Sequence, residues 1–143
     1  MQLLLTKLLV LPLVLHVLLI TFVGQKLVRA RIRSVVSGQT KISDIALDSD
    51  AWPRKVKQLG NNFNNQFQTP LLWYGGTALI VALGLVDLAF VGLSWLFLLL
   101  RLVHSVIHTG NNYVPARMRI FLASFAVLVA MWLWLAVRLV MLG

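Results

Sequence analysis

Apolar residues along this chain gather into four long blocks set apart by polar stretches. The first covers residues 3–23, interrupted by Lys7, Pro12 and His16, and at ~1.5 Å per residue it is long enough to cross a hydrocarbon core of ~30 Å as a helix. Residues 25–59 are polar and basic, with a turn signal at Ser37-Gly38. Asp50, ahead of Ala51-Trp52-Pro53, has the form of a helix N-cap with proline in the first turn. It predicts a second helix that starts near Pro53, passes through the amide-rich residues 60–70 and continues into the apolar stretch 71–86. At about 50 Å such a helix projects beyond the hydrocarbon in its first half, with a kink expected at Pro70.

Asp87 leaves room for only a short turn, so the third helix, 88 to about 110, pairs with the second as an antiparallel hairpin. Gly110-Asn111-Asn112-Tyr113-Val114-Pro115 breaks the chain again, and residues 120–140 form the last block, with Arg138 near its end. The expected architecture is an all-α integral membrane protein. It is a single four-transmembrane-helix domain over 1–143, with spans at about 3–23, 66–86, 88–108 and 120–140 and one substantial loop at about 24–59. Trp73 with Tyr74, and Trp132 with Trp134, are expected to face lipid or the interface.

Composition agrees with a membrane class. Of 143 residues 59% are hydrophobic, and the mean hydropathy is +0.87. The net charge of +9 is not a nucleic-acid signature, because the cations flank apolar blocks and no nucleic-acid motif accompanies them. The 24–59 segment holds Lys26, Arg29, Arg31, Arg33, Lys41, Arg54, Lys55 and Lys57, and the 109–119 segment adds Arg117 and Arg119, while the 86–88 turn offers only Asp87. By the positive-inside rule both basic segments are expected in the cytoplasm and both termini outside it. The first block is read as a retained helix: its apolar stretch after Lys7 is long for a signal peptide, and no small-x-small site precedes Lys26.

Two absences restrict the chemistry. The chain has no cysteine, so any thiol it uses must be carried by a ligand. It has no glutamate either, and its four acids are Asp44, Asp48, Asp50 and Asp87, which argues against a paired-carboxylate mechanism.

Arg101, His104 and His108 lie inside the third block at i, i+3 and i+7, hence on one helix face. An arginine at membrane depth costs at least about 2.5 kcal/mol, so the cluster is a candidate site for an anion. The structural alternative is a backbone carbonyl or Asn65 as the partner of Arg101, and a satisfied core histidine at His104. Asn61, Asn65 and Gln68 share a face, and of these Asn65 and Gln68 are candidate ligand contacts, whereas Asn61 and the neighbouring amides are expected to hold helices together or to face water. No metal site is expected: His104 and His108 are i, i+4, but His16 is distant in sequence and no carboxylate is adjacent.

The stretch Arg101-Leu-Val-His104-Ser-Val-Ile-His108-Thr-Gly-Asn-Asn-Tyr-Val-Pro-Ala-Arg117, preceded by the amides before Pro70, resembles the MAPEG family, the membrane-associated proteins of eicosanoid and glutathione metabolism, in its bacterial type. The resemblance covers most of the chain from about Lys41 onward. It implies a homotrimer of four-helix subunits that binds glutathione in a U shape between neighbours near the cytosolic face, and acts as a transferase or peroxidase on a lipophilic small molecule. By motif position, Arg117 stabilises the thiolate, and Arg101, His104, His108, Asn65 and Gln68 contact the tripeptide. Gln68 stands where the family usually has a glutamate, and His108 where one branch has a tyrosine. The alternative implied by another branch is a non-catalytic membrane protein that holds a lipid or acidic small molecule in the same inter-subunit cleft.

Overall fold

The computed structural model describes residues 1–141, with the backbone alone at Ser49; Leu142 and Gly143, the end of the expected 1–143 domain, lie outside them. The first helix, α1, runs Gln2–Val36. At 35 residues it is ~52 Å long, about 20 Å more than the hydrocarbon core. The loop expected from residue 24 therefore begins only after Val36. The basic residues there lie on a helix that has its own apolar line: Leu27 packs with Val56 and Leu59, covered by Ala30, Trp52 and Phe63. Charge marks the side of a membrane, but it does not end a helix. The turn closes at Gly38, whose φ of 71° is a left-handed conformation suited to glycine.

A short helix α2 (Ile42–Ile45) and a 3₁₀ turn (Ser49–Ala51) follow. Asp48 caps that turn through the Asp50 amide at 2.7 Å, while Asp50 pairs with Lys57 at 3.1 Å and does not act as the expected N-cap. Helix α3 spans Arg54–Asn65 and α4 spans Thr69–Ala82. The continuous, kinked helix expected from Pro53 to Val86 is thus two helices, broken at Gln66-Phe67-Gln68. Proline explains the break. In an unbroken helix residue 70 donates its amide to the Gln66 carbonyl, and Pro70 has no amide and a ring that clashes there. Pro70 instead sits in the first turn of α4, where the missing donor costs nothing.

Helix α4, at 14 residues or ~21 Å, is shorter than a hydrocarbon core. Among the described residues three helices are long and apolar enough to cross a membrane: α1, α5 (Leu88–Thr109) and α6 (Val114–Val140). The main core joins Leu9 of α1, Trp73 and Ile80 of α4, Phe90 and Phe97 of α5, and Leu128, Met131 and Leu135 of α6. Trp73, expected at the lipid face, is fully buried and donates to Ser94 Oγ at 3.1 Å. Helix α1 runs parallel to α5, since Gln2 Nε2 donates to the Val86 carbonyl just ahead of α5 and, further along both helices, Ser94 Oγ donates to the carbonyl of Leu9.

At the end of the bundle where α5 starts, Asp87 joins two helices. Its Oδ1 caps α5 through the Phe90 amide at 3.0 Å, and its Oδ2 accepts from Arg138 Nη1 at 2.5 Å and Trp134 Nε1 at 3.0 Å. Removing this group takes away an N-cap and leaves two α6 donors unpaired. Asp87→Ala is expected to cost about 1–3 kcal/mol, lowering the thermal unfolding midpoint in detergent, and Asp87→Asn, which retains the cap, should cost less. Equal midpoints for wild type and Asp87→Ala would exclude this role.

Candidate functional site

The face of α5 predicted from spacing exists: Arg101, His104 and His108 are all buried. Residues from α3, α5 and α6 enclose a cleft of about 220 Å³. Its walls are Asn65 at the end of α3, His104 and His108 on α5, and Val114, Arg117, Met118 and Phe121 on the first turns of α6. The two imidazoles meet edge to face, ring centres 5.5 Å apart, and the Phe121 ring lies 6.1 Å from His104. Nδ1 of each histidine is buried and has no partner among the described residues. Arg117 is partly exposed and donates from Nη1 to Asn112 Oδ1 at 2.6 Å, with Asn112 in the left-handed region at φ 53°. The lining therefore combines a cation and polar groups with apolar side chains, the cation and the apolar residues both coming from α6.

The end of α5 is fixed to α3 from outside the cleft. Lys55 donates to the Thr109 carbonyl at 2.7 Å, and Gln58 donates to the carbonyls of His108 at 2.6 Å and Gly110 at 3.1 Å. A cation and an amide thus satisfy carbonyls that the helix leaves open at its C-terminus.

Arg101 does not line the cleft. It is fully buried behind it, and Nη2 donates to Asn65 O at 2.8 Å, Asn65 Oδ1 at 2.7 Å and Gln66 Oε1 at 3.3 Å. The structural alternative raised from the sequence, a backbone carbonyl together with Asn65, describes this side of the guanidinium. Its Nε and Nη1 are buried and have no partner among the described residues. Gln68 is exposed and also outside the cleft walls; it accepts from Asn65 Nδ2 at 3.0 Å. Asn65, His104, His108 and Arg117 thus share one cavity, while Arg101 and Gln68 reach it through Asn65. None of the four aspartates contributes to its walls.

The family comparison decides what this arrangement belongs to: the family described as MAPEG family matches residues 9–137, nearly the whole chain. The protein is a MAPEG family member. Neither curated proteins nor solved structures give a significant match to the chain.

In this MAPEG chain a buried polar network continues from Arg101 away from the cleft. Gln66 Oε1 is also 3.1 Å from His16 Nε2, and His16 Nδ1 is 2.9 Å from the Tyr74 hydroxyl. Gln66 Nε2 donates to Asn62 Oδ1 at 3.3 Å, which accepts as well from Ser105 Oγ at 3.0 Å. Reading Asn62 and Gln66 as helix glue agrees with this placement. His16, set aside as distant, is a member of the cluster. The available signal was the rule applied to Arg101: His16 is an ionisable residue in the middle of an apolar block.

Asn65 supplies two of the three acceptors on Nη2. Asn65→Ala removes one and leaves a buried cation less satisfied, for an expected loss of about 2–4 kcal/mol. Asn64→Ala, one residue away and exposed, should change stability by less than about 0.5 kcal/mol. Chemical unfolding of both in the same detergent is the check, and equal losses would remove Arg101 from the account.

Proposed function

We propose that this MAPEG protein is a glutathione-dependent transferase or peroxidase acting on lipophilic electrophiles, and that Arg117 is its catalytic residue. The observation that carries the reading is the composition of the cleft, where Arg117 shares the lining with Phe121, Met118 and Val114 of the same helix. Bound there, glutathione supplies a thiol whose free pKa is close to that of cysteine, about 8.5. Arg117 holds the anionic sulfur by charge and hydrogen bonding, which favours the nucleophilic form at neutral pH. His104 and His108 offer unpartnered Nδ1 atoms to the peptide, and Arg101 retains Nε and Nη1 for a carboxylate. Asn65 and Gln68 provide amide contacts at the α3–α4 break. The apolar α6 wall receives the electrophile from the bilayer.

The assembly that completes the site is a homotrimer of four-span subunits. In each subunit α3 and α4 together serve as the second crossing, the basic segments face the cytoplasm and the termini lie outside it. Family membership and the charge distribution support this reading. A second reading has its own support. Because no carboxylate lines the cleft and Gln68 replaces the expected glutamate, the glutathione ammonium lacks a charged partner. In that case the cleft holds a lipid or acidic small molecule without catalysis.

Arg117→Ala is expected to lower conjugation to a model electrophile roughly 100-fold, the scale for losing one charge-stabilising donor, while glutathione affinity changes by less than about threefold. The thiolate ultraviolet absorbance should be lost with it. Gln68→Glu should tighten glutathione binding about tenfold by supplying a charged acceptor. Wild-type protein with neither glutathione affinity nor thiolate absorbance, unrescued by Gln68→Glu, would transfer the case to the lipid-binding reading.

The assembly has separate tests. Native mass spectrometry from mild detergent should give a trimer, and a reporter fused after Gly143 should read outside the cytoplasm. A uniform monomer, or a cytoplasmic reporter, would contradict the corresponding element.

A further inference from the structure

Helix α1 contributes nothing to the cleft walls, yet its His16 is fully buried and tied to the residues behind them. The direction of each bond in that group follows from one fact. A guanidinium only donates, so the Gln66 atom 3.3 Å from Arg101 Nη2 is the amide oxygen, and the amide nitrogen points to Asn62 Oδ1. The same oxygen lies 3.1 Å from His16 Nε2, so that ring nitrogen carries the hydrogen. Nδ1 is then the acceptor, and the Tyr74 hydroxyl donates to it across 2.9 Å. The chain reads Tyr74 to His16 to Gln66, with Arg101 arriving at the same oxygen.

Nη2 has two hydrogens and three acceptors, and Gln66 is the longest of the three contacts. That contact depends on Gln66 being held in place. Without His16, Gln66 Oε1 keeps Arg101 alone and the amide is held only by its long 3.3 Å donation to Asn62 Oδ1, which weakens the third contact and shifts the guanidinium onto Asn65. Asn65 is the member of the group that faces the cleft.

We infer that His16 is a positioning residue: through Gln66 and Arg101 it fixes the orientation of Asn65 in the cleft wall. The ligand-affinity part of the test rests on the proposed glutathione site, and the spectroscopic part does not.

Substitutions that mimic one ring nitrogen each make the distinction. His16→Gln places an amide nitrogen where Nε2 was and keeps the donor to Gln66, while His16→Asn reaches only the Nδ1 position. Nitrogen-15 NMR of the full-length protein in detergent should show wild-type His16 with hydrogen on Nε2 and none on Nδ1. The Arg101 Nη hydrogens should exchange slowly in wild type and in His16→Gln, and rapidly in His16→Asn. Glutathione titrated by calorimetry should bind His16→Gln within about twofold of wild type and His16→Asn about tenfold more weakly, the scale of one lost hydrogen bond. Gln66→Leu should reproduce the His16→Asn behaviour, and the double variant should add nothing further. It also serves if His16→Asn does not fold. Arg101 hydrogens that exchange alike in the Gln and Asn variants, or that stay slow in Gln66→Leu, overturn the proposal. If wild type binds no glutathione, the glutathione reading of the cleft falls, while the exchange data still decide the role of His16.

Discussion

The guanidinium of Arg101 has to find acceptors inside a low-dielectric bundle, and the other features of the site are arranged around that requirement. An intact helix has none to give, because each internal carbonyl is taken by an amide four residues on. Pro70 changes this. By ending α3 at Asn65 it frees the Asn65 carbonyl from the ladder, and Arg101 takes it at 2.8 Å. The cation also meets the negative end of the α3 dipole, a favourable position for it. Proline at 70 and arginine at 101 are thus halves of one device, although they are 31 positions apart in the sequence.

Much of this was legible in the sequence. The apolar blocks locate α1, α5 and α6, the i, i+3, i+7 spacing puts Arg101, His104 and His108 on one face, and the run from Arg101 to Arg117 carries the family. Other features were not. Periodicity cannot distinguish a kink at Pro70 from a break, since both follow from the missing amide and the outcome depends on whether a tertiary partner accepts the freed carbonyl. Basic residues at 26–33 look like a loop when read for charge, whereas Leu27 and Ala30 reveal a helix only once α3 is present to cover them. His16 and Gln66 are 50 residues apart, and a single sequence has no term for such pairs.

Charge is distributed unevenly along the bundle. The aspartate at the α4–α5 turn is matched by Arg138 and Trp134, a closed arrangement with little capacity for a ligand. At the opposite end cations exceed acids, Arg117 has an amide as its partner, and two histidine nitrogens have none. The acid–cation pairing is closed at one end, and the unpartnered cationic and imidazole nitrogens lie toward the other. This is the division expected where binding is placed on a scaffold held elsewhere.

Helix α1 belongs to both of the apolar clusters. Its buried positions Leu9, Pro12, His16, Val23, Leu27 and Ser34 form a single stripe with an average spacing near the helical repeat, and no hinge lies between the part in the membrane core and the part beside α3. The helix is therefore a shaft with one phase. A residue inserted between Val23 and Leu27 turns everything beyond it by about 100°, so Leu27 can keep its seat against Leu59 only by rotating His16 and Leu9 out of theirs. Packing outside the membrane and hydrogen bonding within it are in this way one rotational register, set by a helix that never touches the cleft.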